Sequence, residues 1–274
     1  MNMAAPHRFA FGDNWEKFST LVTNSEIDEA VVKLKQMLLK NSLDNKSFLD
    51  VGCGSGLHSL AAVRLGARTV HAFDIDPQSV STTKKLLSTY APDYPAHVEL
   101  KNVHEAAPVN DHDRYDIVYS WGVLHHTGDM RDAIRKASAF VAPDGKFIIA
   151  IYKKSPLCAF WRVEKSFYSR MPPFLQFPIT AVFSGIYLLG VLINGKNPVE
   201  YVKSYKGFRG MNFWHDMIDW LGGYPYESAS PAEMKAFFSD LGFDLDAEYN
   251  TDPVKAMGVF GCGCAEYVFS RAPT

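Results

Sequence analysis

Apolar residues recur at Ile27, Ala30, Val31, Leu34, Met37 and Leu38, the three-and-four spacing of one helix face, and Ser25 stands where an N-cap is wanted. The period then changes. KSFLDV (46–51) is a short apolar run ending in Gly52, Gly54 and Gly56, and SLAAVRLG returns to helical spacing until Gly66 closes it. RTVHAFD reads as a second strand, PQSVSTTKKLLSTY as a helix opened by Pro77, HVELKNV as a third strand and YDIVYSW as a fourth. A helix from Met130 to Val141 puts Ala133, Ile134, Ala137 and Val141 on one face, and the turn Pro143-Asp144-Gly145 feeds the strand KFIIAIY. This alternation predicts a doubly wound α/β fold, a mostly parallel sheet covered by helices on both faces.

The alternation stops after Tyr152. From Lys153 to Ala229 the chain holds aromatic clusters, prolines and helical patches without a clear strand, which predicts a helical insertion after the fifth strand. Order resumes at Ser230-Pro231-Ala232-Glu233, a capping box with proline at the first helical position. Met234, Phe237, Phe238 and Leu241 then share a face, Gly242 ends the helix, and FDLDAEY and AEYVFSR supply two terminal strands, for a seven-stranded sheet. The expected organisation is an N-terminal helical lid (1–45), a core from 46–152 and 230–274, and a helical cap (153–229).

Composition narrows the class. With 274 residues, 47% apolar and 21% charged, the chain can bury a full core without metal or disulfide staples. The 28 Lys and Arg against 30 Asp and Glu, net −2, give no overall attraction to nucleic acid, so none is expected as a partner. The opening MNMAAPHRFAFGDNW has no basic stretch followed by an apolar one, and one of four cysteines sits in the glycine-rich loop, so a cytoplasmic setting is expected. Cys262 and Cys264 in GCGC lack a second pair, and no metal is expected.

In an open parallel sheet, ligands sit beyond the carboxyl ends of the strands where the strand order reverses. Asp50-Val51-Gly52-Cys53-Gly54-Ser55-Gly56 occupies such an end, and Asp74 closes the second strand 18 residues after Gly56, where a carboxylate can accept both ribose hydroxyls of an adenosine. A dinucleotide fingerprint counted from Gly52 wants its third glycine at Leu57, and here it comes one residue early at Gly56. No Lys or Arg lies between Asp50 and Val63 to meet a pyrophosphate, and Asp50 would repel one. A cationic ligand suits the loop better, as an amino acid bearing a sulfonium centre would.

FLDVGCGSG, the acidic FDIDP, and YSWGVLHHTGDM followed by VAPDGKFIIAIY closely resemble, in order and spacing over about 120 residues from Phe48, the motifs of class I S-adenosylmethionine-dependent methyltransferases. The group they resemble includes quinone-biosynthesis methylases. RFAFGDNWEKF and RGMNFWHDMIDWLGGYPYE are similar to an uncharacterised bacterial subgroup associated with glycan or secondary-metabolite methylation. The resemblance implies a Rossmann-like fold and S-adenosylmethionine as cofactor. It implies that Gly52 and Gly54 line the methionine part, with Asp50, Gly56 and Ser120 nearby, and that Asp74 and Ile75 serve the ribose and adenine. Asn102 and Val103 stand where the family often has Asp and a small or apolar residue beside the adenine.

Methyl transfer from a sulfonium is an in-line displacement, so the acceptor must be held close, aligned and dry, and an acceptor hydroxyl also needs a base. Ser120, Trp121, His125 and His126 follow the fourth strand, and Tyr152 ends the fifth. Either histidine serves as base, or one contacts the cofactor through backbone while the other caps the next helix. In the insertion, His215 with Asp216 form a second base-and-orienter candidate, accompanied by Arg209, Tyr224 and Glu227, or else an anchor fixing the insertion to the sheet. Trp121, Arg209 and Tyr224 are candidates to touch the acceptor. Phe9, Phe11, Trp15 and Phe18 form either a lid over the cofactor or an ordinary helix face. The leading expectation is methylation at oxygen or sulfur of a small-molecule or glycolipid-type acceptor. The alternatives are carbon methylation of a quinone or lipid-like acceptor, and a non-catalytic protein binding a nucleoside or partner on the same fold.

Met171 to Gly195 carries no charge. Pro172, Pro173 and Pro178 are expected to break its first third, leaving 16 residues from Pro178 to Ile193, about 24 Å of helix against a hydrocarbon core of about 30 Å. That favours a buried cap or an oligomer-contact helix, through which a homodimer could form. Lys165, Arg170, Lys196 and Lys203 leave room for peripheral membrane contact.

Overall fold

In β1 (Ser47–Val51) every residue is buried, which places this strand at the middle of the sheet. The computed structural model describes residues 11–12, 15–16, 22–209, 213–259 and 261–272. With β2 (Thr69–Asp74), β3 (His97–Leu100), β4 (Tyr115–Trp121), β5 (Val141–Tyr152), β6 (Phe243–Tyr249) and β7 (Cys264–Arg271) it forms one sheet in the order β3-β2-β1-β4-β5-β7-β6. Only β7 is antiparallel to its neighbours. The chain winds outward from β1 through β2 to β3, then returns to β4 on the other side of β1. The order therefore reverses at the carboxyl ends of β1 and β4, where the glycine loop lies.

Alternate residues of the strands feed two cores. Phe48, Val70, Ile117, Tyr119, Ile148 and Val268 face α1 (Asn24–Leu38) and α2 (Leu57–Arg64), while α3 (Pro77–Tyr90) packs beside α2 over β2 and β3. Leu49, Val51, Val118, Phe147, Tyr267 and Phe269 face α4 (Met130–Ser138) and α9 (Pro231–Asp240) on the opposite side. There the Phe238 and Phe269 rings stack with centroids 3.9 Å apart, both fully buried. Burying a phenylalanine contributes about 1.5–3 kcal/mol.

Local signals place most boundaries, with three corrections. The N-cap of α1 is Thr23, not Ser25: Thr23 accepts the Ser25 amide, and its own amide donates to Glu26 across 2.6 Å in a capping box. α4 ends at Ser138, and Val141 pairs with Tyr115 as the first residue of β5. Pro143-Asp144-Gly145 is a bulge inside that strand, since the register jumps from Tyr115↔Val141 to Ile117↔Lys146 and Asp144 takes φ +58°.

The insertion contains α5 (Cys158–Tyr168), α6 (Pro173–Ile193), α7 (Pro198–Arg209) and α8 (Phe213–Gly222). It leaves and rejoins the sheet at one place. Lys153 bridges Ala229, whose amide donates to Tyr152 O at 3.1 Å. The break expected at Pro178 does not occur, and α6 runs unbroken for 21 residues, about 31 Å. Pro178 falls at its sixth position, so the bond it cannot donate belongs to the first turns, where Pro172 O already receives the amides of Leu175 and Gln176.

At the return to the core, the Ser230 side chain accepts the Glu233 amide and Glu233 Oε2 accepts the Ser230 amide. Ser230→Ala should therefore destabilise the protein by about 1 kcal/mol, read as a lower urea midpoint at unchanged slope. An unchanged midpoint would mean the cap carries no stability.

Candidate functional site

The glycine loop is shaped by what surrounds it. Gly52, Gly54 and Gly56 adopt φ of +78°, +52° and +78°. A Cβ on Gly52 would lie 2.3 Å from Val123, and one on Gly56 would lie 2.9 Å from the Thr83 backbone, so neither position has room for a side chain. The amides of Gly52 and Cys53 donate to Phe73 O, and Thr83 Oγ1 donates to Gly54 O, which hold the loop against β2 and α3.

Asp74 organises the other side. Its Oδ2 accepts the Gly54 amide at 3.0 Å and its Oδ1 accepts the Asp76 amide at 2.9 Å. Asp50, buried at the end of β1, accepts the Ser59 hydroxyl at 2.6 Å. Burial raises the pKa of both carboxyls, that of Asp50 to about 7 from 3.8, with repulsion from Asp74 adding to it. A buried acid, Asp50, and a half-buried one, Asp74, beside a loop without a basic residue form a cradle that a cation relieves. This is the charge and shape that S-adenosylmethionine requires, and the residues fit that group.

Ile75 follows β2 with its side chain exposed, and Val103 is buried. Asn102 caps a short 3₁₀ turn: its Oδ1 accepts the His104 amide and its Nδ2 donates to Glu105. The lid reading falls mostly outside the described residues, Phe9 and Phe18 included. Within them, Trp15 packs on the loop, where a Cβ on Gly54 would lie 3.1 Å from its Nε1. The Gly12 amide donates to Asp76, and the Phe11 ring lies 5.1 Å from that of His126.

Beyond β4 the candidates divide. Ser120 is fully buried and donates to Val51 O at 2.9 Å, a staple beneath the loop rather than a group aimed at a ligand. Trp121 donates its indole N–H to Glu266 Oε1 at 3.0 Å, and the same carboxylate accepts Lys33 at 2.6 Å, which ties α1 to the sheet. His126 Nδ1 bonds Pro225 O at 2.7 Å and its ring rests against Gly223; burial lowers its pKa to about 4. It straps the end of the insertion to the β4–α4 loop, together with the Glu227 amide on His125 O and the Met130 amide on Glu227 Oε2.

His125 is different. It is fully buried, its ring lies 4.0 Å from that of Tyr152 and 4.2 Å from that of His126, and neither ring nitrogen has a hydrogen-bond partner. Burial holds it neutral, far below 6.5. Tyr152 continues the wall to Trp220 and Tyr226, and burial pushes its hydroxyl pKa up. Against Trp220 stands Lys165, fully buried, its Nζ 3.9 Å from the ring centroid and without a hydrogen-bond acceptor. Burial lowers its pKa. Lys165 is therefore not available for the membrane contact expected of it, because it shares a helix face with Trp161 that turns inward.

The insertion's own candidates are not brought to the loop by any described contact. Asp216, which follows His215 in α8, accepts the Tyr205 hydroxyl at 2.5 Å and so ties α7 to α8. Tyr224 stacks with Arg170, 5.3 Å from guanidinium carbon to ring centroid. Arg209 ends α7, and its side chain lies outside the description. Among the described residues no cluster of three or more His, Cys, Asp or Glu could hold a metal ion. Cavities of about 250 Å³ around His71, Lys101 and Tyr115 and about 330 Å³ around Lys153, Asn250 and Cys262 are not lined by the loop.

A family model described as "Methyltransferase domain" matches residues 24–178, more than half of the chain. The ribosomal protein L11 methyltransferase of Acinetobacter baumannii (strain SDF) is 52% identical over 50 residues, 18% of this chain and 17% of that protein. The ubiquinone biosynthesis O-methyltransferase of Methylobacterium nodulans is 31% identical over 113 residues, 41% of this chain and 43% of that protein. These matches thus span less than half the length of either relative. The magnesium protoporphyrin IX methyltransferase of Synechocystis PCC 6803, crystallised with bound SAM, superposes with a TM-score of 0.53 at 12% identity, covering 91% of this chain and 81% of that one. At that identity the likeness is one of fold.

The raised pKa of Asp50 sets a pH test of the ligand-free protein. An acid whose folded pKa lies above its unfolded value stabilises the fold at low pH and loses that contribution as pH climbs from about 4 through about 7. Asp50→Asn should therefore match the wild type near pH 4 and exceed it in denaturant midpoint near pH 8. A difference that does not grow with pH would show that Asp50 is not buried as a strained carboxyl.

Proposed function

We propose, from the premise that the chain belongs to the methyltransferase-domain family, that it is an S-adenosylmethionine-dependent methyltransferase acting in the cytoplasm on oxygen or sulfur of a small-molecule acceptor. The observation that carries this reading is the positive-φ glycine loop tied to Asp74 at the point where strand order reverses. Gly52 and Gly54 let the backbone approach the methionine part, Asp74 takes the ribose hydroxyls, Ile75 and Val103 border the adenine, and Asp50 with Asp74 favours the sulfonium charge. Trp15 covers the loop and keeps water out. When bound, the cofactor would supply an electrophilic methyl group, and these residues would hold the acceptor in line with it as the carbon–sulfur bond gives way to the acceptor–carbon bond.

The acceptor lies against the wall of His125, Tyr152 and Trp220. His125, neutral and with both ring nitrogens unpaired, takes the acceptor proton. Burial and the neighbouring His126 and Lys165 disfavour the imidazolium, so the acceptor must itself be acidic, as a thiol or a phenol is compared with an alcohol. Lys165, whose Nζ has no hydrogen-bond acceptor and lies in the field of Glu164, stands in the same wall and stabilises the thiolate or phenolate as the proton leaves. His126, pinned to Pro225, positions the insertion over the acceptor.

Calorimetry with S-adenosylhomocysteine should show one site per chain, weakened at least about tenfold, or 1.4 kcal/mol, by Asp74→Ala. In a panel of phenols, thiols and alcohols, methyl transfer should favour the first two. His125→Ala should lower kcat by about 10²–10⁴ with cofactor affinity unchanged. Absence of cofactor binding would leave a non-catalytic member of the fold, and full turnover in His125→Ala would remove its role as base.

A further inference from the structure

Helix α6 is apolar on its outer face as well as its inner one. The stripe it turns to the protein carries Thr180, Ser184 and Val191, with Phe183, Tyr187 and Leu188 against the small core of Tyr205, Phe213 and Met217. Its outer stripe holds Phe174, Phe177, Val182, Ile186, Leu189 and Ile193, all exposed, with Phe177 at 77% and Ile193 at 76%. Phe160, Val163 and Phe167 on the neighbouring α5 are exposed as well. A helix at a water-soluble surface turns polar residues outward, and an exposed apolar area of this extent marks a docking surface.

By length and composition α6 is the one helix among the described residues that could cross a membrane. Its packing argues against crossing. Both ends return to helices of the same insertion, and one stripe is occupied by α7 and α8, so it can offer only its outer face.

Charge selects what that face meets. Over the whole insertion, residues 153–229, the chain holds nine Lys or Arg against five acidic residues, a local excess of positive charge on a chain whose overall charge is −2, although Lys165 among them is buried. Arg162, Arg170, Lys196 and Lys203 are exposed at the ends and flank of the apolar face. A second copy docked face to face would bring two such cationic surfaces together, which like-charge repulsion opposes. An anionic bilayer complements both features, apolar residues entering the acyl boundary and cations meeting headgroups.

We propose that α6, with the exposed residues of α5, lies in the surface of an anionic lipid bilayer as a monotopic anchor. Lys165 of the acceptor wall sits on α5, one of the two helices that carry this face, with its Nζ over Trp220 of α8. The anchor therefore holds that wall at the lipid surface. It rests on the surface alone and stands whether or not the cofactor reading does.

The test is flotation of the full chain with vesicles of phosphatidylcholine alone and of phosphatidylcholine with phosphatidylglycerol, with the oligomeric state measured by ultracentrifugation. The protein should float with the anionic vesicles, weakly with the neutral ones, and about 0.5 M salt should release much of it. Phe177→Glu with Leu189→Glu, at exposed positions, should lower vesicle binding at least tenfold while the melting temperature and S-adenosylhomocysteine affinity stay unchanged. Wild type that remains soluble with both vesicles overturns the proposal, as does a double variant that floats normally. A dimer that these substitutions abolish, without vesicle binding, would assign the face to a second copy instead.

Discussion

Two backbone amides, from Gly54 and Asp76, converge on the carboxylate of Asp74. That small arrangement joins the end of β1 to the end of β2 and fixes the glycine loop in its left-handed conformation. Its geometry needs glycine because Val123 and Thr83 occupy the space where side chains would stand. Its electrostatics need a partner, because burial raises the pKa of both Asp50 and Asp74. A parallel sheet that reverses its order at β1 and β4 leaves this loop as the natural place for a ligand. The fold, the loop and the unrelieved acids therefore point to one binding event.

In the proposed reading the insertion supplies the second half of the site. It leaves and rejoins the sheet beside Tyr152, so its helices stand over the ends of β4 and β5. His126, Pro225, Glu227 and Met130 form the strap that holds it there. Behind that strap lie His125 and Lys165, fully buried polar groups without hydrogen bonds. Leaving such groups unpaired costs about 1–3 kcal/mol each, a cost that a bound acceptor would remove.

The core was legible because its signals are local. Glycine spacing, the acid at the end of β2, Pro77 at a helix start and the Ser230 capping box each specify backbone within a few residues, and the structure keeps all of them. What escaped depends on distant partners or on competition between local choices. Thr23 outcompetes Ser25 because Glu26 answers it at the capping-box distance. Pro178 is tolerated because it lies near the start of α6, where few bonds are lost. No sequence pattern tells that the Ser120 hydroxyl turns to Val51 O, that the Trp121 indole meets Glu266, or that Asp216 bonds Tyr205. The candidate catalytic set thereby contracts from a list of polar residues near strand ends to His125 and its aromatic neighbours, with Lys165 added.

The central claim is that the loop held by Asp74 is the seat of the cofactor. A crystal structure of the protein with S-adenosylhomocysteine tests it most directly. The account requires the ribose hydroxyls on Asp74, the homocysteine part along Gly52 and Gly54 beneath Trp15, and the sulfur turned toward His125 and Tyr152. Density for the ligand elsewhere, or a ribose that does not touch Asp74, would contradict it.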